Sequence, residues 1–197
     1  MKVEQFVMAY GIEQDRVRAL LPEGFESLRP VLRINAEIRD EQTVYLEFNT
    51  PVEARGIRGW LNIAHWDSCT DDISFARQDN TVHIKTPFFS LTYHGTGIEG
   101  GCPAEKDNDG CFFLGECPDF RPNEPIEPII ANKEFCDCAF SWHFHDGDAY
   151  SKSLGKTLPA YREQNCVVYP KASLTAENAA RIPCRQVLGA YLVRFER

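Results

Sequence analysis

The sequence has no run of basic residues, no long apolar segment and no Cys-x-x-Cys pair. Its longest apolar stretch, VLGAYLV at 187–193, is far shorter than the roughly 20 residues that a transmembrane helix needs. The 21 basic residues are outnumbered by 29 acidic ones, for a net charge of −8. We therefore expect neither nucleic acid nor a membrane as a partner. Residues 1–15 lack the basic and apolar regions of a signal peptide, which predicts a cytoplasmic protein.

The eight cysteines form no recognisable spacing motif. Without a secretory signal, free thiols are a better prediction than a disulfide framework. One segment carries four candidate metal ligands, which are Cys136, Cys138, His143 and His145. Strand alternation would place the two cysteines and the two histidines on opposite faces, so we predict no metal and no cofactor. A weaker alternative is a metal-dependent enzyme that uses His143 and His145 with His65 or His94 from a neighbouring strand.

Strand-like runs dominate the chain and helix-like runs are few. Strands are predicted at 3–10, 30–39, 43–49, 58–65, 81–94, 134–145 and 185–195. Short helices are predicted at 13–21, where Pro22 ends the pattern, and at 173–180. These runs predict one β-dominated domain over residues 1–197, built as a barrel or a sandwich.

The segment at 30–39 shows the clearest strand alternation. Its apolar face consists of Leu32, Ile34, Ala36 and Ile38. Its opposite face carries Arg33, Asn35, Glu37 and Arg39. This alternation predicts a strand with one apolar face and one polar face.

Residues 95–128 differ from the rest of the chain. They contain 6 of the 13 glycines, 5 of the 12 prolines and eight acidic residues. A segment of this length is too long for a plain connection, so it predicts a functional loop or lid, or short strands such as 111–114. Gly95–Gly100 matches G-x-G-x-x-G, but a dinucleotide site needs a helix to begin there and the following residues predict none.

Lys85 is a candidate nucleophile on the predicted strand 81–94. By parity it shares a face with His83, Pro87 and Phe89. Burial among apolar neighbours would lower the pKa of its ammonium and free the amine to attack a carbonyl carbon. The alternative is an ordinary lysine on a solvated strand face, which is the commoner situation.

Three stretches of the chain, in this order, carry a family resemblance. The first runs from Asp15 to Phe25, includes Leu-Pro-Glu-Gly, and precedes a strand led by Pro30. The second is Glu47-Phe48-Asn49 with Val52 and Gly56-Ile57-Arg58-Gly59, similar to an E-x-N…V…G-x-x-G pattern. The third is the Pro-led segment 182–191. Together they resemble the acetoacetate decarboxylase-like superfamily.

The resemblance implies a β-dominated α+β fold, a cone-shaped antiparallel β-barrel with a few short helices and a pocket inside. It also implies a pocket lysine that forms a Schiff base with a β-keto acid, tuned by a second lysine. Phe88 and Phe89 occupy the positions where the paired lysines would stand, and Lys85 lies shortly before them. An arginine and carboxylates hold the substrate in that family, which the resemblance maps onto Arg33 with Asn35 or Glu37.

We therefore expect a protein that binds or processes a small organic keto acid. In this hypothesis Arg33 and Asn35 bind the ligand, Phe88 and Phe89 line its site, and Lys85 and Glu37 form an imine or move protons as in a decarboxylase. The alternative is a non-catalytic barrel whose site is filled or lined by the two phenylalanines. The expected partner is a small molecule, and edge strands leave a homo-oligomer open.

Overall fold

A computed structural model of the protein describes residues 1–106, 111–113, 129–143, 161–163 and 166–197. The strands are β1 (Lys2–Gly11), β2 (Glu26–Ser27), β3 (Val31–Arg39), β4 (Thr43–Ala54), β5 (Ile57–Asp67), β6 (Ser74–Gln78), β7 (Thr81–Lys85), β8 (Phe89–Glu99), β9 (Ala104–Lys106), β10 (Cys111–Phe113), β11 (Ile129–Ala131), β12 (Glu134–Trp142), β13 (Tyr161–Glu163), β14 (Cys166–Val168) and β15 (Gln186–Glu196). The helices are α1 (Gln14–Arg18) and α2 (Ala176–Ala180).

Most strands join one 11-stranded sheet in the order β10-β5-β4-β3-β1-β15-β12-β8-β7-β6, with β2 paired to β4. Its pairs are antiparallel except β10 with β5. The described residues also form two small sheets, β11-β9 and β13-β14. The runs β3-β4-β5 and β6-β7-β8 follow chain order because antiparallel neighbours need only short connections, whereas β15 pairs with β1 and β12 across long stretches of sequence.

The large sheet curls into a half-barrel. Phe48 on β4 and Trp142 on β12 have ring centroids 5.0 Å apart, although β3, β1 and β15 lie between their strands. Phe89 on β8 is 4.9 Å from the same indole. Such contacts require these side chains to meet on the concave face, which holds the main hydrophobic core. The strand-dominated, curled antiparallel sheet confirms the predicted fold class.

Strand β3 is buried on both faces. The side chains of Leu32, Ile34 and Ala36 are fully buried in the core, as their alternation predicts. Arg33 on the opposite face is also only 6% exposed. The polar face of this strand is therefore covered, and its side chains need partners within the protein.

The predicted strand 81–94 is in fact two strands joined by a tight turn. Thr86 N donates to Phe89 O (2.8 Å) and Phe88 N donates to Thr86 Oγ1 (3.1 Å), while Pro87 has no N–H to offer a ladder. The turn resets the parity, so Phe89 joins the core and Lys85 is exposed. The prediction that Lys85 and Phe89 share a face is wrong for this reason.

The described part of 95–128 also contains strands. β8 continues to Glu99, so the G-x-G-x-x-G match lies mostly on a strand and no helix begins there. β10 lies within the short strand predicted at 111–114 as the alternative to a functional loop or lid, and β9 is a second short strand. Residues 107–110 and 114–128 lie outside the described chain.

β12 alternates as predicted. Cys136, Cys138 and Phe140 pack against the core, whereas Asp137 and Ala139 are exposed.

The two short helices lie within the predicted ranges, and Thr175 caps α2 by accepting from Asn178 N (3.1 Å). Within the described ranges, neither helix has the length or hydropathy to cross a membrane.

Candidate functional site

A block of polar side chains covers the face of β3, β4 and β5 opposite the core. Antiparallel pairing aligns them in three cross-strand rows, which are Arg33–Asn49–Asn62, Asn35–Glu47–His65 and Glu37–Tyr45–Asp67. We use the term polar face for a set of side chains on this side of the sheet, which are Gln5, Arg33, Asn35, Glu37, Tyr45, Glu47, Asn49, Asn62 and His65. Gln5 enters it from β1, where it pairs with Glu37. The structure therefore brings together three of the sequence-predicted site residues, Arg33, Asn35 and Glu37.

A β-bulge completes the polar face. Phe48 pairs with Ala64 but Asn49 pairs with Asn62, so Ile63 has no partner on β4. The extra residue lets Asn62 and His65, three positions apart, face the same side of the sheet. Strict alternation would have sent one of them into the core.

Most of the polar face is inaccessible to water. Asn49 is fully buried, and the exposed fractions of Gln5, Asn35 and Glu47 are 4%, 5% and 6%. Buried polar groups are costly unless they are hydrogen-bonded, so this face is held by a defined network.

Glu47 is the centre of that network. Its Oε1 accepts from Asn35 Nδ2 (2.8 Å) and its Oε2 from the hydroxyl of Tyr45 (3.0 Å). Burial, and next the negative charge of Glu47, raise the pKa of the Tyr45 hydroxyl well above its usual range. Tyr45 therefore remains a neutral donor at ordinary pH.

Arg33 lies between Glu47 and an aromatic ring. Its Nη2 is 3.9 Å from Glu47 Oε1, and its guanidinium carbon is 3.8 Å from the centroid of Trp60. A guanidinium presents its donors in one plane and stacks on aromatic faces, so this position suits recognition of a carboxylate.

Glu37 belongs to the polar face but has its own partners. Its Oε2 accepts from Arg39 Nε (2.9 Å) and its Oε1 from Arg197 Nη2 (3.2 Å). Arg39 also stacks over Tyr45, with 4.8 Å between the guanidinium carbon and the ring centroid. Glu37 therefore anchors two arginines at the edge of the face.

The remaining sequence-predicted site residues lie elsewhere. Lys85 is exposed on β7, paired with Ser74 and Ser90, and β1, β15, β12 and β8 separate its strand from β3. Phe89 is fully buried in the core and Phe88 is half-buried in the turn before it. The resemblance implied one pocket inside the barrel, whereas the structure divides these residues between the core, the surface and the polar face.

Sequence reasoning missed several members of the polar face. Glu47 and Asn49 belong to the E-x-N match. They lie two residues apart, so strand alternation puts them on one face, but they were not assigned to the site. Asn62 and His65 depend on the bulge, and Gln5 depends on β1 lying beside β3. A strand pattern read one segment at a time contains neither kind of information.

The weaker metal hypothesis finds no support in the described side chains. No group of three or more His, Cys, Asp or Glu side chains is suitably placed among them. His143 Nε2 lies 2.9 Å from Ser90 Oγ, and His145 is outside the described residues. The five cysteines described with side chains are free thiols, which are Cys69, Cys102, Cys136, Cys138 and Cys184.

Comparison with known proteins identifies the fold. No protein-family model and no curated protein sequence matches the chain. The solved acetoacetate decarboxylase from Legionella pneumophila superposes with a TM-score of 0.58 at 12% identity, covering 98% of this chain and 81% of that one. The chain has the acetoacetate decarboxylase-like fold. The predicted resemblance is thus confirmed at the level of the fold.

Two further solved structures have a similar backbone fold. Another acetoacetate decarboxylase gives a TM-score of 0.51 at 11% identity, covering 98% of this chain and 84% of that one. The enduracididine biosynthesis enzyme MppR, solved with pyruvate, gives 0.53 at 10% identity with the same coverage of both chains. At these low sequence identities the similarity shows the backbone fold alone. It assigns no role to any residue of the polar face.

Proposed function

We propose that this acetoacetate decarboxylase-like protein binds a small organic acid on its polar face, with Arg33 holding the carboxylate. The observation that carries the proposal is the buried Arg33 guanidinium, which stacks on Trp60 and has Asn49 as its cross-strand neighbour. A buried cation attracts an anion far more strongly than an exposed one, because water screens it less. The pyruvate held by MppR, a protein of the same fold, supports keto acids as the first probes.

Binding of pyruvate and acetoacetate by isothermal titration calorimetry tests the proposal. Arg33→Gln removes the charge but keeps polar atoms, and we expect it to lower the affinity at least about tenfold. The matched control is Arg58→Gln, because Arg58 is exposed and paired with Glu53 on the same strand pair. Arg33→Lys, which retains a charge, should keep part of the affinity. Unchanged binding by folded Arg33→Gln, or no binding of either acid by the wild type, would refute the proposal.

Whether binding leads to chemistry is a separate proposal that concerns Lys85 and Glu37. In imine formation the Lys85 amine would attack the carbonyl carbon and water would leave. The iminium would then accept the electron pair of the C–C bond that breaks as carbon dioxide departs, and protonation and hydrolysis of the resulting enamine would free the lysine. Borohydride reduction followed by intact mass analysis tests it on the wild type and on Lys85→Met. Lys133→Met is the control, because Lys133 lies over the ring of Tyr191.

The outcome separates the two functional classes. An adduct lost only in Lys85→Met would make the protein a Schiff-base enzyme. Acid binding without any adduct would make it a non-catalytic binder, the alternative that the packing of Phe89 against Trp142 favours. In that case the aromatic core is structural and the polar face carries the function.

A further inference from the structure

A serine and a histidine meet on the face of β8 and β12 that lies opposite the core. Ser90 Oγ is 2.9 Å from His143 Nε2, within the ordinary range of a hydrogen bond. The antiparallel register sets Ser90 against Ser141 on β12, and Ser141 Oγ is farther from the same nitrogen, at 3.4 Å. Of the two serines, Ser90 therefore has the close contact between hydroxyl and imidazole that activates a nucleophile.

Buried neighbours hold the backbone of both residues in place. Phe89 precedes Ser90 and Trp142 precedes His143, and the two aromatic rings pack edge to face in the core with centroids 4.9 Å apart. The backbone N–H of His143 also donates to Phe88 O at 2.6 Å. The serine and the histidine thus stand on well-packed elements, which is the condition for keeping a nucleophile and its base aligned.

Lys85 brings a positive charge to the neighbourhood of Ser90. The two residues pair directly across β7 and β8. Because Thr86 N donates to Phe89 O at 2.8 Å in the turn, the next pair, Lys85 with Ser90, falls at a non-hydrogen-bonded position, where opposite side chains lie closest. Lys85 is exposed and Ser90 is half-buried, so a small molecule can approach both from solvent.

We propose that Ser90 and His143 form a nucleophile and a general base that hydrolyse small esters. Ser90 Oγ attacks the ester carbonyl carbon as its proton passes to His143 Nε2, and Lys85 stabilises the negative charge that develops on the carbonyl oxygen. The ester C–O bond breaks, and the alcohol leaves with the proton from His143. Water then loses a proton to the same nitrogen and adds to the acyl group, and the carboxylic acid departs as Ser90 Oγ takes that proton back.

This site is separate from the polar face. In the sheet, β15 and β1 lie between β12 and β3, the strand that carries Arg33. Ester hydrolysis is measured with a neutral substrate and without any added organic acid. Its outcome is therefore independent of whether the polar face binds an acid.

Hydrolysis of 4-nitrophenyl acetate tests the proposal. We expect the wild-type protein to exceed the rate of an equal concentration of free imidazole by at least about 100-fold, because a positioned base alone contributes about that factor. Ser90→Ala and His143→Gln should each lose most of this excess, and Lys85→Gln should lower kcat severalfold. Ser141→Ala is the matched control, because it removes a hydroxyl from the same face beside the same imidazole, and its rate should match that of the wild type.

Covalent labelling locates the nucleophile. Phenylmethylsulfonyl fluoride should transfer its sulfonyl group to Ser90 Oγ with release of fluoride, and peptide mapping by mass spectrometry should find the label at Ser90 and not at Ser141. A wild-type rate no higher than that of imidazole, an unchanged rate in folded Ser90→Ala, or a label at Ser141 instead would each overturn the proposal. The labelling of the wild-type protein decides the point even if a variant does not fold.

Discussion

The guanidinium carbon of Arg33 lies 3.8 Å from the centroid of the Trp60 ring. Arg29 lies over the same ring at 5.8 Å, but its side chain is exposed. A desolvated cation–π contact contributes about 2 kcal/mol, and an exposed one less than about 1 kcal/mol. The two arginines therefore give one ring a strong and a weak partner.

A pair of double-mutant cycles measures this difference. Arg33→Met with Trp60→Leu should show a coupling free energy of about 1–2 kcal/mol in urea unfolding. Arg29→Met with the same Trp60→Leu should show less than about 0.5 kcal/mol. Additive effects of the Arg33 and Trp60 substitutions would contradict the stacking argument.

Two glycines on long strands should respond oppositely to alanine. A Cβ on Gly95 would lie 2.5 Å from Glu134 Oε1, an atom that also accepts from Gly97 N, so Gly95→Ala should cost about 1–3 kcal/mol. A Cβ on Gly189 would meet no atom within 4 Å, and Gly189→Ala should change stability by less than about 0.5 kcal/mol. Chemical denaturation of both variants checks the contrast, which equal destabilisation would negate.

Buried tyrosines predict a loss of stability at alkaline pH. Burial raises the pKa of the Tyr10 and Tyr93 hydroxyls far above their ordinary value of 10.0, with the charge of Glu4 the second cause for Tyr93. A raised folded-state pKa gives a stabilisation that is complete below the unfolded value and is lost as pH rises above it. The urea midpoint should therefore fall once the pH exceeds 10.0. Full phenolate absorbance from all seven tyrosines while the near-UV circular dichroism stays native would disprove this.

The cysteines should differ in their rates of alkylation. Burial raises the pKa of the Cys136 thiol to about 12 and also raises that of Cys138, while Cys102 is exposed. Since the thiolate is the reactive form, iodoacetamide at mildly alkaline pH should modify Cys102 well before Cys136. Peptide mapping by mass spectrometry checks the order, and urea-unfolded protein, where the rates should converge, serves as the control. Faster labelling of Cys136 would contradict the described packing.

Much of the fold could be predicted from single segments. The alternation of Leu32, Ile34 and Ala36 predicted both β3 and the core face on which they lie, and the same parity placed Arg33 and Asn35 together. Such patterns depend on local geometry, in which a side chain's side of the sheet follows from its position along one strand. The order of three weak motifs then predicted the fold that the solved neighbours confirm.

The rest depended on relationships between segments. Ile63 is an ordinary apolar residue in the sequence, and only the pairing of β4 with β5 makes it the bulge that turns His65 toward Asn62. Thr86 is part of a turn because its hydroxyl and its backbone N–H both form hydrogen bonds with residues just after it. The turn reverses the parity expected for Phe89. A strand register is fixed by a partner strand that is far away in the sequence, and a turn of this kind is fixed by a few local hydrogen bonds. A single segment shows neither.

The burial of β3 on both faces has a consequence for redesign of the protein. From Val31 to Ile38 every side chain is buried, so a change at any of these positions disturbs either the core or the polar network. β5 offers more freedom, since His65 is exposed and Ile63 is only half-buried. A library intended to alter ligand preference while preserving the scaffold should be placed on the bulged strand, with β3 left as its invariant support.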